Sequence, residues 1–125
     1  MIKYHAVGRR KPGVKNGPMK YYASTVLDGE VGLLEICQEI EKISTVSEAD
    51  IMAVLTSLIS VVPEKLTKGK IVRLGDLGNL RPSIGSEGVA KAEEVSASNI
   101  KSNKVIFTPG KRIMKAMRGA EYKKA

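Results

Sequence analysis

The sequence predicts an α+β fold, because strand-type and helix-type patterns follow one another along one chain of 125 residues. Hydrophobic residues make up 42% of the chain, which is enough for a packed core. Aromatic residues are only 4%, so that core must be built from Leu, Ile, Val and Met. A thin aliphatic core in a small domain often requires a second subunit to complete it.

The first 30 residues predict a small β extension. Residues 2–7 alternate weakly between apolar and polar, and residues 21–27 are rich in Tyr, Thr and Val, as strands are. Between them, residues 8–18 are rich in Gly, Pro and basic residues, which indicates a loop or hairpin connection. We therefore expect a β extension at residues 1–30 and a main domain at residues 31–120.

Two amphipathic helices come next. The first is predicted at about residues 31–44. The second begins after Ser47, a good N-cap with Asp50 three residues on, as in a capping box. Gly69 is placed to terminate this helix. Pro63 interrupts its apolar stripe, so we expect a kink or a break into a last turn there. The stripe is broad and consists of Ile51, Val54, Leu55, Leu58, Ile59, Val62 and Leu66.

A hairpin with a long arm is predicted after the helices. Residues 70–74 and 77–84 have strand character, and Gly75 and Gly78 bracket a tight turn between them. Residues 85–99 contain three Glu, one Lys and few core residues, which predicts a protruding, mobile arm spanning about residues 83–100.

The chain then returns as a strand at residues 100–107. Thr108-Pro109 has the pattern of an N-cap followed by proline at the first helical position, which predicts a helix at about 109–118. Residues 121–125 are expected to be a basic tail.

No catalytic or metal site can be assembled from these residues. His5 is the only histidine and Cys37 the only cysteine, too few for a usual zinc site, and Cys37 lies in an apolar helical stripe. The Gly-Lys pairs lack the spacing and the Ser/Thr of a phosphate loop. No apolar run approaches the ~20 residues of a membrane span, and the first residues do not form a secretory signal. We expect a cytoplasmic, non-enzymatic protein that uses no cofactor, metal, membrane or small-molecule substrate.

The charge distribution indicates a polyanionic partner. The formal net charge is +8 and the isoelectric point about 9.7. Residues 1–30 carry six Lys/Arg against two acids, and residues 100–125 carry eight against one. Residues 31–63 reverse the balance, with five acids against one Lys. A basic start and end flanking an acidic middle suit nucleic acid first and an anionic membrane surface second.

The order of elements over residues 33–118 resembles the HU/IHF family of bacterial nucleoid-associated proteins. Residues 72–80 (VRLGDLGNL) are similar to the glycine hairpin that enters the arm in that family. Residues 107–111 (FTPGK) are similar to its return strand, proline and Gly-Lys helix start. The N-terminal residues, with Tyr21-Tyr22-Ala23, resemble the extension of an HU-related subfamily with extra N-terminal strands.

This resemblance implies a homodimer, in which two helical pairs intertwine into a base and two β-arms form a saddle for duplex DNA. Lys and Arg side chains would clamp the phosphates and displace counterions, giving salt-dependent binding with little sequence preference, suited to nucleoid organisation. The contacts we predict are Arg73, Arg81, Lys91, Lys101 and Lys104 on the saddle and arm, Lys111, Arg112, Lys115 and Arg118 on the last helix, and Arg9, Arg10 and Lys11 on a flank.

One departure from the family concerns the arm. Family arms usually carry an Arg-Asn-Pro tip whose proline wedges between base pairs. Residues 85–99 contain no proline and include Glu87, Glu93 and Glu94, so neither a wedge nor strong bending is expected. Two other classes stay open: an RNA-binding module, which the composition equally supports, and a protein-interaction scaffold, which the acidic arm favours.

Overall fold

The computed structural model describes residues 1–13 and 15–125. Over these residues the chain forms three α-helices and six strands, arranged in two three-stranded sheets, so the α+β class is confirmed. One sheet has the order β2-β1-β6, and the other β3-β4-β5. The bounds are β1 Ile2–Arg9, β2 Lys20–Val26, α1 Leu33–Ile43, α2 Glu48–Thr67, β3 Val72–Arg73, β4 Gly78–Ser86, β5 Ile100–Pro109, α3 Lys111–Arg118 and β6 Tyr122–Lys124.

The chain divides into two compact units. The first comprises Met1–Gly32 and Ala116–Ala125, and the second Leu33–Lys115. The C-terminal residues are therefore more than the basic tail expected at 121–125. Residues Tyr122–Lys124 form β6, which runs parallel to β1, and the amide of Ile2 donates to the carbonyl of Glu121 at 2.8 Å. The edge of β1 left free by β2 offers unpaired backbone groups that a short basic strand can satisfy.

Helix α2 begins and ends where its capping signals place it. The Ser47 hydroxyl accepts from the Asp50 amide at 3.2 Å at the start of α2. At its end, the Gly69 amide donates to the Leu66 carbonyl and the Lys70 amide to that of Lys65, with Gly69 at φ +78°, which is a Schellman motif.

Of the kink or break expected at Pro63, the break is not present. Helix α2 continues through Pro63 to Thr67. Proline removes the one hydrogen bond that its own nitrogen would donate, but the residues after it can still donate to carbonyls one turn earlier. A Schellman cap at Lys68 and Gly69, five and six residues beyond the proline, holds that last turn in place.

The start of the final helix differs from the expectation. Thr108 and Pro109 belong to β5, where they pair with Asn79 and Gly78, so they are neither N-cap nor first helical residue. The first helical bond runs from the Met114 amide to the Gly110 carbonyl. Strand pairing here outweighs the local signal of the Thr-Pro pair, and glycine takes the junction.

We predict that Gly110→Ala destabilises the fold by about 3 kcal/mol. A Cβ on Gly110 would lie 2.5 Å from the carbonyl carbon of Asp76 and 2.9 Å from the amide nitrogen of Gly78. These are backbone atoms of the turn that starts the hairpin, so they cannot move aside cheaply. Urea unfolding measures the loss, and Gly88→Ala is the matched control because nothing lies within 4 Å of its Cβ position. Equal stability of the two variants would contradict the prediction.

Very little of the chain is fully buried. Among the described residues, the buried hydrophobic side chains are Cys37, with none of its surface exposed, and Ile51, at 5%. The expectation that Cys37 lies in the core is thus confirmed. Three residues of the α2 stripe are poorly covered: Leu58 is 38% exposed, and Val54 and Ile59 are more exposed still. Leu55, Val62 and Leu66 are partly buried. Exposed apolar side chains on one face of a helix are typical of an interaction surface.

Candidate nucleic-acid interface

The sheet β3-β4-β5 gathers three of the predicted contacts on one face. Residues directly opposite across a pair of strands share a face, as do residues two apart along a strand. Arg73 on β3 is opposite Asn79 on β4. Arg81 is two residues further along β4, and Lys104 on β5 is opposite Ser83. All three basic side chains are exposed.

This basic face contains no carboxylate. Its remaining positions on the paired strands are small or polar, apart from Ile106 opposite Arg81. Hydroxyl and amide side chains can donate to phosphate oxygens beside the cations. The sequence analysis predicted the cations but not these polar neighbours. Strand alternation places them on this face once the turn at Gly75 and Gly78 fixes the register. The neighbours are Asn79, Ser83, Ser102 and Thr108.

The opposite face of the same sheet is apolar. Leu80 is opposite both Val72 and Phe107, and Pro82 is opposite Val105. Phe107, the only phenylalanine in the chain, is 47% exposed. The sheet therefore separates a charged face from an apolar face that the chain itself leaves partly uncovered.

Helix α3 presents a second basic surface. At about 100° per residue, its four cations fall within an arc of roughly 120°. Its apolar side chains, Ile113, Met114 and Met117, lie on the other side. No acid is present in the helix. The cations are Lys111, Arg112, Lys115 and Arg118, all exposed.

The far end of the hairpin is held together by a polar cluster. The last pair is Ser86 with Ile100, after a register shift at Gly85. Beyond it, the Glu87 amide donates to the Asn99 carbonyl at 3.0 Å, and the Asn99 side-chain amide donates to Glu87 Oε1 at 3.2 Å. The Asn99 Oδ1 also accepts from the Ser96 amide at 2.8 Å.

Residues 85–99 hold few buried residues, as the composition predicts, but this cluster gives the end of the hairpin a defined structure. Asn99 is buried, and two 3₁₀ turns, Ala92–Glu94 and Ala97–Asn99, shape the loop. Lys101 Nζ lies 3.7 Å from Glu87 Oε1 and donates to the Ser98 carbonyl at 3.1 Å. Glu87 therefore has a cationic partner within the hairpin. Lys91, Glu93 and Glu94 remain exposed in the loop, separate from the basic face.

The flank residues belong to the N-terminal unit. Arg9 ends β1, and Arg10 and Lys11 follow it. They line an open cavity of about 990 Å³ together with Lys20 and Tyr22. These two residues are not among the contacts predicted from the sequence. The alternation of side chains along β1 and β2 places Lys20 and Tyr22 on the same face as Arg9, and this alternation could have identified them.

Metal and membrane features are not found in the described residues. No group of three or more His, Cys, Asp or Glu side chains is arranged to hold a metal ion. Across residues 1–13 and 15–125, no helix has the length and apolar character needed to cross a bilayer.

Comparison with solved structures gives the class of the fold. The chain is similar to a crystal structure described as a "Putative bacterial DNA binding protein" from Bacteroides vulgatus ATCC 8482, with a TM-score of 0.68 and 18% sequence identity. The match covers 98% of this chain and 47% of that one, so the chain spans about half the length of the solved protein. Among curated proteins, none matches the chain. The fold belongs to the class seen in that bacterial protein.

Comparison with family models is more specific than comparison with solved structures. The family model HU-HIG, described as an HU domain fused to wHTH, Ig, or Glycine-rich motif, matches residues 1–124. The chain belongs to this family, and the predicted resemblance to an HU-related family is confirmed.

Proposed function

We propose that this chain binds duplex DNA through its phosphates, with little dependence on sequence, and serves as a histone-like organiser of the bacterial nucleoid. The observation that carries the proposal is the acid-free sheet face bearing Arg73, Arg81 and Lys104. The HU-type family and the description of the Bacteroides vulgatus protein support a DNA ligand. Phosphate contacts position a protein on DNA but carry no sequence information directly, so cations without a base-reading element favour tolerant binding.

The contacts fall into three groups. The sheet face and arm contribute one group, helix α3 a second and the N-terminal flank a third. Lys101 differs from the others because its ammonium already contacts Glu87, so we expect it to brace the arm as well as to meet DNA. The contacts are Arg73, Arg81, Lys91, Lys101, Lys104, Lys111, Arg112, Lys115, Arg118, Arg9, Arg10 and Lys11.

We propose further that the working form is a homodimer. Helix α2 and the apolar face of the sheet leave Leu58, Ile59 and Phe107 substantially exposed. A second copy would bury these side chains and complete the core that one small chain lacks. In this arrangement the helices would form the base, and the two hairpins would embrace the duplex as an HU/IHF-type saddle.

Salt titration of duplex binding tests the function. The logarithm of the association constant should fall linearly with the logarithm of salt concentration, because each phosphate contact releases counterions. Arg81→Ala should weaken binding to unrelated duplex sequences alike and reduce the slope by about 0.9. Lys42→Ala, on the acidic helix α1, is the charge-matched control and should leave the slope unchanged. Tighter binding to structured RNA than to duplex DNA would contradict the proposal.

A separate prediction concerns bending, which we expect to be weaker than for a relative whose arm wedges between base pairs. A wedge needs a compact apolar group at the tip, since unstacking a base step costs a few kcal/mol. Val89 is the candidate of useful size near the tip, and Glu93 and Glu94 nearby repel phosphates. The end-to-end distance of a labelled duplex of a few tens of base pairs should shorten little at saturating protein.

The Val89→Ser variant provides the control for bending. If the arm does not wedge, this variant and the wild type should give the same duplex length. A large shortening with the wild type that disappears with Val89→Ser would show that the arm intercalates.

A further inference from the structure

The N-terminal sheet has one strongly basic face. Lys3 on β1 is next to Lys123 on β6, and Arg9 at the far end of β1 is opposite Lys20 on β2. Alternation places these four cations on the same face, with His5 between them. The three strands contain no acidic residue. Lys3 alone among these cations has a carboxylate within ion-pair distance, Asp28 at 3.3 Å, in the part of the chain that the structure describes.

The two adjacent tyrosines of β2 lie on opposite faces of this sheet. Tyr22 is opposite Val7 and shares the face of the cations, whereas Tyr21 is opposite Gly8 on the other face. Tyr22 is 52% exposed and Tyr21 71%. The basic face thus combines cations with one accessible aromatic ring.

The cations and the ring meet at a cavity. Arg9, Arg10, Lys11, Lys20 and Tyr22 line the open space of about 990 Å³, together with Pro12, Gly17 and Pro18. Arg10 donates from Nη1 to the carbonyl of Lys15 at 3.0 Å, which fixes its guanidinium against the loop. The cavity is therefore a cation-lined recess with an aromatic ring in its wall.

We propose that this face binds an unpaired nucleic-acid strand, with Tyr22 stacking on a base and the surrounding cations holding the adjacent phosphates. A duplex presents phosphates, but its bases are stacked inside, so an aromatic ring within a recess has nothing to stack on. An unpaired strand offers both phosphates and the flat faces of its bases, the combination that single-strand-binding surfaces use. This goes beyond the duplex function, because it gives the Arg9–Lys11 flank, proposed above as a duplex contact, a second ligand in the unpaired strand.

Affinity measurements on the whole chain test the stacking. With a single-stranded DNA oligonucleotide, and with an RNA oligonucleotide of equal length in a parallel arm, Tyr22→Ala should weaken binding about tenfold. Tyr22→Phe should bind like the wild type, because the ring is kept. Tyr21→Ala removes an even more exposed ring from the opposite face and should change nothing. Equal losses for Tyr21→Ala and Tyr22→Ala would overturn the proposal.

Charge can be tested with the same logic of opposite faces. Lys123 shares the basic face, whereas Lys124, opposite Tyr4, lies on the other face. For single strands, Lys123→Ala should reduce the salt slope by about 0.7, and Lys124→Ala should leave it unchanged. Equal effects of the two substitutions would mean that only net charge matters, which contradicts a defined binding face.

Fluorescence gives a readout that does not depend on lost affinity. The chain contains no tryptophan, so Tyr22→Trp and Tyr21→Trp each introduce a unique reporter. Adding a single strand should quench the first reporter and leave the second unaffected, because stacking on a base quenches an indole directly.

Parallel measurements with duplex DNA distinguish this proposal from the duplex function. If Tyr22→Ala weakens duplex binding as much as single-strand binding, the ring does not act on unpaired bases in particular and the proposal fails. If the wild type binds duplex DNA but the Tyr22→Trp reporter shows no quenching by single strands, the duplex function stands and this proposal fails. If the wild type binds single strands through Tyr22 but does not bind duplex DNA, the single-strand proposal stands and the duplex function fails.

Discussion

Replacing Leu58 with aspartate is expected to dissociate the proposed dimer and lower its association constant at least roughly 1,000-fold. Leu58 lies on the broad apolar stripe of α2 yet remains 38% exposed, in a chain whose buried hydrophobic side chains are so few. In a symmetric dimer the substitution places a carboxylate on each side of the interface. An uncompensated buried charge costs about 3–5 kcal/mol. Sedimentation across a range of protein concentrations measures the change.

The matched control for this prediction is Ser60→Asp. Ser60 lies two residues further along α2, about half a turn away from the stripe, and it is exposed. Its substitution adds the same charge to the same helix without placing it in the apolar interface. We expect Ser60→Asp to remain dimeric. A folded wild-type monomer at high micromolar concentration would reject the dimer.

The sequence predicted those elements whose signals are local. Ser47 caps α2 as expected, Gly69 ends it, and Gly75 and Gly78 adopt the positive φ values of the hairpin turn. Cys37 is buried because the helical spacing placed it on the covered side of α1. In each case the residue type and its immediate neighbours determine the conformation, so no knowledge of distant segments is needed.

The errors occurred where distant segments decide the structure. Thr108-Pro109 has a helix-start pattern, but pairing with β4 keeps it in a strand. Residues 122–124 read as a tail because the strand that accepts them is 120 residues earlier. The polar cluster of Asn99 with Glu87 joins residues 12 apart. Such contacts depend on tertiary pairing, which a single sequence does not display.

The candidate site was only partly predictable from the sequence. Composition alone identified the cations, since Lys and Arg are conspicuous in any sequence. Which of them share a face depends on register: Arg73, Arg81 and Lys104 align only once β3, β4 and β5 are paired. The same step brings Lys20 and Tyr22 to the face of Arg9, and without it neither residue stands out from other surface positions.

The second large effect is expected on helix α3. Replacing Lys111, Arg112, Lys115 and Arg118 together by Ala should weaken duplex binding about 100- to 1,000-fold near 0.1 M salt. Each lost phosphate contact removes about 0.9 from the salt slope, so the slope should fall by up to roughly 3.6. Alanine is the best helix former, so the helix itself should persist, which circular dichroism can verify.

A control variant that loses positive charge outside α3 tests whether the effect is specific to this helix. Lys65 and Lys68 on and just after α2 contact Glu64 at 3.8 and 3.0 Å, and Lys42 lies on the acidic helix α1. Replacing these three by Ala removes nearly as much positive charge but no proposed phosphate contact. The salt slope of this control should stay close to that of the wild type. If the α3 variant binds duplex DNA as the wild type does, then α3 is not the DNA surface. If both variants lose the same slope per charge removed, binding depends on net charge and not on a defined helix face.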